Sequence, residues 1–346
     1  LSIFRGVLKY KPMTALLEVL TNDDTDATPS VSSNLSYTTK KLVAYGEFVY
    51  SLADDGYSFS DFLQRVIFQD ENKYIIDVAN GKIPSQTVVN NAARELELFS
   101  QLTKLTAETI FGEIYNQTYI PQFENTPVDF AKVYGQRLKN VNKYGYGIFA
   151  TAKMFRIEND KIVPVTTADE ITLDSFVGYK EERQQVIDNT KAFLNGKPAA
   201  NVLLFGDAGT GKSSTVKACV NHFYDQGLRL IEIRKDQLFS LTYIMERITG
   251  NPLKFIIFID DLSFNKNDDC FSMLKAVLEG SASAKAKNAV IYATSNRRHI
   301  VKEKFSDRTE ADDVHHSDTV QELMSLSDRF GLTVYFSKPN KQLYLE

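Results

Sequence analysis

Cysteine is scarce in this chain. Cys219 and Cys270 are the two it has, and no C-x-x-C spacing occurs. Neither points to a disulfide framework or a zinc site, so a reducing cytosol is the expected setting. Long apolar runs are lacking as well. Met13 to Leu20 is apolar, but it is short and holds Glu18, which fits a helix segment rather than a signal peptide or a membrane span. Positive charge is not in surplus either: 40 Lys and Arg stand against 44 Asp and Glu, a net charge of −4. The chain as a whole is therefore no polyanion-binding surface, although a local basic patch is compatible with it. It starts at Leu1 without an initiator Met, so a fragment is expected, with the same suspicion at its C-terminus.

What is present is ample for a folded globular protein. A length of 346 residues allows two domains and a substantial core, and 43% hydrophobic with 24% charged residues is ordinary for a soluble globular protein. Residues 1 to about 145 have helical character. Thr21 to Asn34 is polar and turn-rich, and is expected to be a loop. Leu42 to Leu52 and Phe59 to Ile67 carry apolar residues at helical spacing. A longer helix is predicted from near Ser85, after Pro84, with Val88, Val89, Ala92, Leu96, Phe99 and Leu102 as an apolar stripe facing the core. Gln136 to Tyr146 interleaves Arg137, Lys139 and Lys143 with Tyr144 and Tyr146. A nucleic-acid surface is one reading of it, and a solvated helix end is the one preferred.

Near residue 145 the pattern changes. Tyr146 to Ile157 and Lys161 to Val165 are β-rich, with a hairpin turn at Glu158-Asn159-Asp160. From about Thr172 strands and helices alternate. Strands are predicted at Asn201 to Phe205, Leu228 to Ile233, Lys254 to Ile259, Ala289 to Thr294 and Leu332 to Phe336, with helices at Gln237 to Ile248 and Phe271 to Leu278 between them. Such alternation implies an α/β fold, a parallel sheet flanked by helices, with ligands bound beyond the carboxyl ends of the strands. The expected division is a helical N-terminal domain at 1–145, a β-hairpin linker segment at 146–171, and an α/β domain at 172–346.

Residues Gly206 to Ser213 read G-D-A-G-T-G-K-S and follow the predicted strand Asn201 to Phe205. This is the G-x-x-x-x-G-K-[ST] phosphate loop, and the helical pattern of Val216, Cys219, Val220 and Phe223 after it supplies the required context. Glycines at 206, 209 and 211 let the backbone wrap an anion without a Cβ in the way. Loop N–H groups and the helix N-terminus then offer partial positive charge to phosphate. The binding set is Gly206, Asp207, Ala208, Gly209, Thr210, Gly211, Lys212, Ser213 and Ser214. Lys212 is expected to reach the β- and γ-phosphates, and Ser213 to ligate Mg²⁺.

Two further strand ends carry candidates. Lys254 to Ile259 runs into Asp260-Asp261, where Asp260 is placed to hold Mg²⁺ and Asp261 to polarise the attacking water. Ala293-Thr294-Ser295-Asn296 ends another strand, and Asn296 is the candidate to position that water. In Ser325-Leu326-Ser327-Asp328-Arg329-Phe330-Gly331, Arg329 is a candidate arginine finger, a device worth ~10³–10⁵ in rate. Pairing of Arg329 with Asp328 or with a helix C-terminus is the structural alternative.

These strings together resemble the AAA+ ATPases. Within them the chain is similar to an uncharacterised bacterial family known only as a domain of unknown function, number eight hundred and fifteen. The likeness spans about Thr172 to Phe336, with R-K-D-Q-L, D-D-L-S-F and S-N-R-R-H-I adding to it. The resemblance implies Walker A at Gly206 to Ser213, Walker B at Asp260 and Asp261, sensor one at Asn296 and the finger at Arg329. It also implies that Val177-Gly178 borders an adenine pocket. Two departures stand out. The second Walker B residue is usually Glu and here is Asp261, so slow hydrolysis, or help from Glu279 or a water, are the alternatives. The helical lid that usually follows the last strand is expected to be missing, since the chain stops at Glu346.

Other candidates are weaker. His315-His316 among Asp312, Asp313 and Asp318 reads as a polar loop rather than a metal site. Arg297, Arg298 and Arg308 are available to nucleotide, neighbour or client, and Ser281 to Lys287 is a flexible connection or a client-contacting loop. The expected function is Mg²⁺-dependent ATP hydrolysis coupled to conformational change in a cytoplasmic homo-oligomer. Its client is a protein or nucleic acid, and it has no membrane. A nucleotide-gated binding protein that barely hydrolyses, or a loader acting on DNA, are the alternatives.

Overall fold

A computed structural model describes residues 1–21, 31–56, 58–116, 119–167, 169–262, 269–279, 286–296 and 328–338. They divide into two compact units, Leu1–Val141 and Asn142–Glu346. Among the described residues no helix is long and apolar enough to cross a membrane.

The first unit is helical: α1 (Lys11–Thr21), α2 (Val31–Asp55), α3 (Phe59–Gln69), α4 (Lys73–Ala79), α5 (Gln86–Leu102), α6 (Ala107–Phe111) and α7 (Phe130–Lys139). Polar caps decide where most of these start. Ser58 accepts the Asp61 N–H ahead of α3, Asn72 the Ile75 N–H ahead of α4, Ser85 the Val88 N–H ahead of α5, and Asp129 the Lys132 N–H ahead of α7. Each satisfies a donor that the first helical turn leaves without an intrahelical partner. The loop expected at Thr21 to Asn34 is shorter than its composition implies, because α2 already begins at Val31. No Pro or Gly follows Pro29 until Gly46, so nothing in the sequence stops the helix from running back that far. Residues 22–30 lie outside the described set.

Aromatic edges fill the core of this unit. Phe48 meets Phe59 and Phe123 at 5.2 and 5.1 Å between ring centroids, and Phe4 meets Tyr134 at 5.1 Å, all edge-to-face. The stripe of α5 faces inward through Ala92, Leu96 and Phe99. Glu95 lies buried on the same stripe. Its carboxylate accepts the backbone N–H groups of Ser2, Ile3 and Phe4 and the Ser2 hydroxyl, so a helix side chain caps the first residues of the chain. Burial works against this charge, but the hydrogen bonds from the Ser2, Phe4 and Ile3 amides and the Ser2 hydroxyl outweigh it and hold the carboxyl below its ordinary value.

The second unit is built on one sheet. After α8 (Val141–Tyr144), the strands are β1 (Met154–Glu158), β2 (Lys161–Pro164), β3 (Val202–Gly206), β4 (Leu228–Ile233), β5 (Lys254–Ile259), β6 (Ala289–Ser295) and β7 (Leu332–Phe336). The helices are α9 (Lys180–Leu194), α10 (Lys212–Phe223), α11 (Leu241–Ile248) and α12 (Asp269–Glu279). The order is β2-β1-β4-β5-β6-β3-β7, parallel at every pairing except β1 with β2. Leu203, Ile231, Ile257 and Ile291 pack on one face with Leu241 and Ile244 of α11 and Leu274 of α12. Val202, Leu204, Ile256, Phe258 and Tyr292 pack on the other with Val216 and Val220 of α10 and Val186 of α9. Nearly continuous apolar strands are what a sheet covered on both faces requires.

The hairpin expected as a separate segment is part of this sheet. Its turn residues Asn159 and Asp160 both take positive φ, 47° and 57°, as a two-residue turn of matching twist demands. Strand β1 then pairs in parallel with β4, Met154 opposite Leu230 through Arg156 opposite Glu232. The physical reason is that Met154 and Phe155 project from opposite faces of β1 and are both buried, which only a sheet interior can satisfy. The β-rich run is also shorter at its start. Gly147–Ala150 is a 3₁₀ turn, with Gly145 and Gly147 at φ of 63° and 65° breaking the strand. The helix expected from Gln237 likewise divides, into a 3₁₀ turn at Lys235–Ser240 and α11.

A carboxyl held low in the folded state stabilises above its unfolded pKa and loses that contribution as pH falls through the folded one. Glu95→Gln is therefore expected to cost about 1–3 kcal/mol at neutral pH. The gap from wild type should close as the pH is lowered below about 4 in thermal melts.

Candidate nucleotide site

The site begins at a close approach of two strands. Strand β3 pairs along β7 up to Gly206 opposite Phe336, and a Cβ at Gly206 would stand 1.9 Å from the Phe336 carbonyl oxygen. Gly206 has φ of 137°, and the next amide, Asp207 N–H, donates to that same oxygen at 3.2 Å. Beyond it the loop turns through Gly209 and Gly211, with φ of 76° and 84°, and Gly211 leads directly into α10. Asp207, Ala208 and Gly209 are exposed at the rim, Thr210 is buried and donates to the Asp207 carbonyl at 2.9 Å, and Ser214 is half-buried in the first turn of α10. Lys212 is 6% exposed. Its ammonium folds back on the loop, donating to the carbonyls of Gly206 at 3.1 Å and Asp207 at 2.6 Å. Burial lowers the pKa of this lysine, against the charges of Asp207, Asp260 and Asp261, which raise it.

Strand β6 lies between the phosphate-loop strand β3 and the acid strand β5, and it brings the remaining groups together. Ser213 Oγ donates to Asp260 Oδ1 at 2.6 Å. Thr294 Oγ1 donates to the same oxygen and accepts the Asp261 N–H at 2.9 Å. Asn296 Nδ2 donates to Asp261 Oδ1 at 2.9 Å. Lys212, Ser213, Asp260, Asp261 and Asn296 thus converge at one end of the sheet. Asp261 and Asn296 are exposed there, whereas Ser295, the last residue of β6, is buried.

The Val177-Gly178 segment also reaches the loop. The ring of Phe176 is 3.6 Å from where a Cβ of Gly211 would stand, and the Arg183 guanidinium lies 4.9 Å from its centroid while donating to the Gly178 carbonyl. Gly178 and Tyr179 are both left-handed, at φ of 69° and 48°. Tyr179 is held there by its hydroxyl on the Ser337 carbonyl and by its ring 5.4 Å from that of Phe336. Val177 is left exposed. Phe176, Tyr179, Arg183 and Thr294 were not singled out from the sequence. The signal for Thr294 was its place two residues before Asn296, which puts both on one face of a strand.

Arg329 is placed elsewhere. It precedes β7, whose first residue Leu332 pairs with Val202 at the start of β3, at the end of the sheet away from the loop. The five-residue strand between spans about 13 Å. Arg297, Arg298, Arg308, the His315-His316 pair and Ser281 to Lys285 lie outside the described residues.

The donor set suits one kind of metal. Among the described residues no group of three or more His, Cys, Asp and Glu is placed to hold an ion, so a cage made of protein alone is not what this part of the chain offers. A serine hydroxyl beside a single carboxylate is instead the oxygen-only pair that suits Mg²⁺, which keeps several waters and shares phosphate oxygens.

The family described as Protein of unknown function (DUF815) matches residues 150–346, more than half of the chain. The chain belongs to this family. The match takes in the hairpin as well as the loop, the acid strand and β6. Among solved structures, the crystal structure of the DnaI is similar to it at 17% identity and a TM-score of 0.33, covering 50% of this chain and 90% of that one. Among curated proteins no match was found.

Two of the loop glycines separate steric from conformational cost. Gly206→Ala must displace the Phe336 backbone and is expected to cost about 3 kcal/mol or more, together with nucleotide binding. Gly209→Ala meets nothing within 4 Å. It should cost about 1 kcal/mol, for the left-handed backbone alone. Urea melts of the two variants make the comparison.

Proposed function

We propose that this chain is an Mg²⁺-dependent ATPase whose sites are completed between subunits of a homo-oligomer. The observation that carries this reading is the hydrogen-bonded group Ser213–Asp260–Thr294–Asp261–Asn296 standing at the mouth of the phosphate loop. Loop amides and the N-terminus of α10 receive the phosphates. Lys212 exchanges its two loop carbonyls for phosphate oxygens, and a buried ammonium makes that exchange favourable. Val177, Gly178 and the Phe176 ring border the base. Ser213 and Asp260 would hold Mg²⁺, which supplies charge neutralisation on the transferring phosphoryl group.

Asp261 takes the role of base. It accepts a proton as water attacks the γ-phosphorus and the bond from that phosphorus to the bridging oxygen of ADP breaks. Asn296 keeps the Asp261 carboxylate turned toward that water. Arg329, at the far end of its own sheet, serves the site of a neighbouring subunit. The buried free thiol of Cys219 is consistent with a reducing cytoplasm. A nucleotide-gated binder with slow turnover uses the same site. Its support is the short side chain of Asp261, which is already engaged by Asn296.

Lys212→Ala should lose ATP binding. Asp261→Asn should retain it while phosphate release falls by about 10²-fold or more. Arg329→Ala should lower turnover by about 10³-fold with affinity nearly intact. Mixing the Asp261→Asn and Arg329→Ala chains should restore part of the rate, since some interfaces then pair an intact acid with an intact arginine. Wild-type chain that binds ATP but releases no phosphate leaves the slow-binder reading, and wild-type chain that binds no nucleotide sinks both.

A further inference from the structure

We propose that Thr294 is a positioning residue for the acid pair, whose hydroxyl bends the chain after β5 so that a short acid can work at position 261. The inference rests on the ATPase reading above. Thr294 is 2% exposed on the strand between the phosphate-loop strand and the acid strand. A hydroxyl has one proton to give and lone pairs to receive. Here the proton goes to Asp260 Oδ1 and a lone pair takes the Asp261 N–H at 2.9 Å, so one side chain serves both acids without competition.

The backbone completes the device. The Thr294 carbonyl accepts the Leu262 N–H at 2.7 Å, so two successive amides beyond β5 fold back onto one residue of β6. Asp261 passes between them in a left-handed conformation, φ 52°. A residue other than glycine keeps such a conformation where its surroundings over-determine it, and the Thr294 hydroxyl and carbonyl are those surroundings. In the ladder Ile259 stands opposite Ala293, and a strand continued straight would carry position 261 on past Thr294. The bend instead turns the Asp261 carboxylate to Asn296 at 2.9 Å. Aspartate is one methylene shorter than glutamate, and the bent backbone supplies the reach that the side chain lacks.

Valine has the shape of threonine without the donor or the acceptor, and serine keeps both. The test uses the full chain with Thr294→Val, Thr294→Ala and Thr294→Ser, and reads ATP affinity, phosphate release and hydrogen–deuterium exchange at the Asp261 amide. Thr294→Val and Thr294→Ala should lower kcat by about 10- to 100-fold with ATP affinity within about threefold of wild type, the range for loss of a partner that orients a functional group. Thr294→Ser should return most of the rate, and the Asp261 amide should exchange faster in the first two variants than in the third. An unchanged kcat in either hydroxyl-free variant overturns the inference and leaves the ATPase reading in place. Wild-type chain that binds without turnover removes that reading instead. The exchange measurement then decides, and an Asp261 amide equally protected in all three variants overturns the inference.

Discussion

The hydrogen-bond ladders of β3 with β6 on one side and β7 on the other are the constraint on which the site depends. Val202 stands between Tyr292 and Leu332, and Phe205 between Ser295 and Tyr335, so three strands run out together at one edge. A parallel sheet places all its carboxyl ends on that edge, and each strand there delivers a different chemical group. From β3 comes the glycine loop, from β5 the two carboxylates, from β6 the hydroxyl and the amide. A slip of one residue in any ladder would turn each of these to the opposite face. Gly206 ties the ladders to the loop, since its lack of a Cβ lets the Phe336 carbonyl approach and accept the Asp207 amide.

The polar groups gathered at this edge are satisfied by one another. Lys212 is covered by loop carbonyls, Ser213 and Thr294 share one oxygen of Asp260, and Asn296 holds Asp261. Leaving a buried ammonium or hydroxyl without a partner would cost more than any of these bonds contributes, so the pairings hold the groups in position. The same pairings are exchangeable. A phosphate offers Lys212 a charged acceptor in place of two neutral carbonyls, and charge-assisted bonds are the stronger kind.

Much of this was legible in the sequence because the signals are local. Three glycines, a lysine and a serine in eight residues describe a loop by their spacing alone, and an apolar run ending in Asp260-Asp261 describes a strand and its tip. Five of the seven strands follow from such runs, and the other two from the β-rich hairpin at Tyr146 to Val165. What escaped is what depends on pairing across the chain. Nothing in Met154 to Glu158 names β4 as its neighbour, although burial of both faces requires one. Glu95 sits in an apolar stripe as any helix acid can, and its partners are amides at the very start of the chain, far from it in sequence. Thr294 was hidden for a different reason. A threonine near a strand end serves equally as a cap, a surface residue or a hub, and only the geometry of β5 beside β6 selects among them.

For the proposed ATPase, the residue at position 261 bears most on rate. An Asp where the AAA+ pattern it resembles has Glu would leave the carboxylate short if the backbone were extended, and the proposed turnover would then suffer for want of contact with water. At Asp261 the backbone is not extended. The left-handed turn and the Asn296 contact set the carboxylate by main-chain geometry, where a glutamate would set it by side-chain rotamers. A group placed by its backbone has fewer torsions to fix and loses less entropy in reaching the reacting geometry. Its reach, in turn, is adjustable only by moving β5 against β6. Any motion of β5 against β6 would therefore act on Asp261, the proposed base, directly, through the two hydrogen bonds that Thr294 accepts.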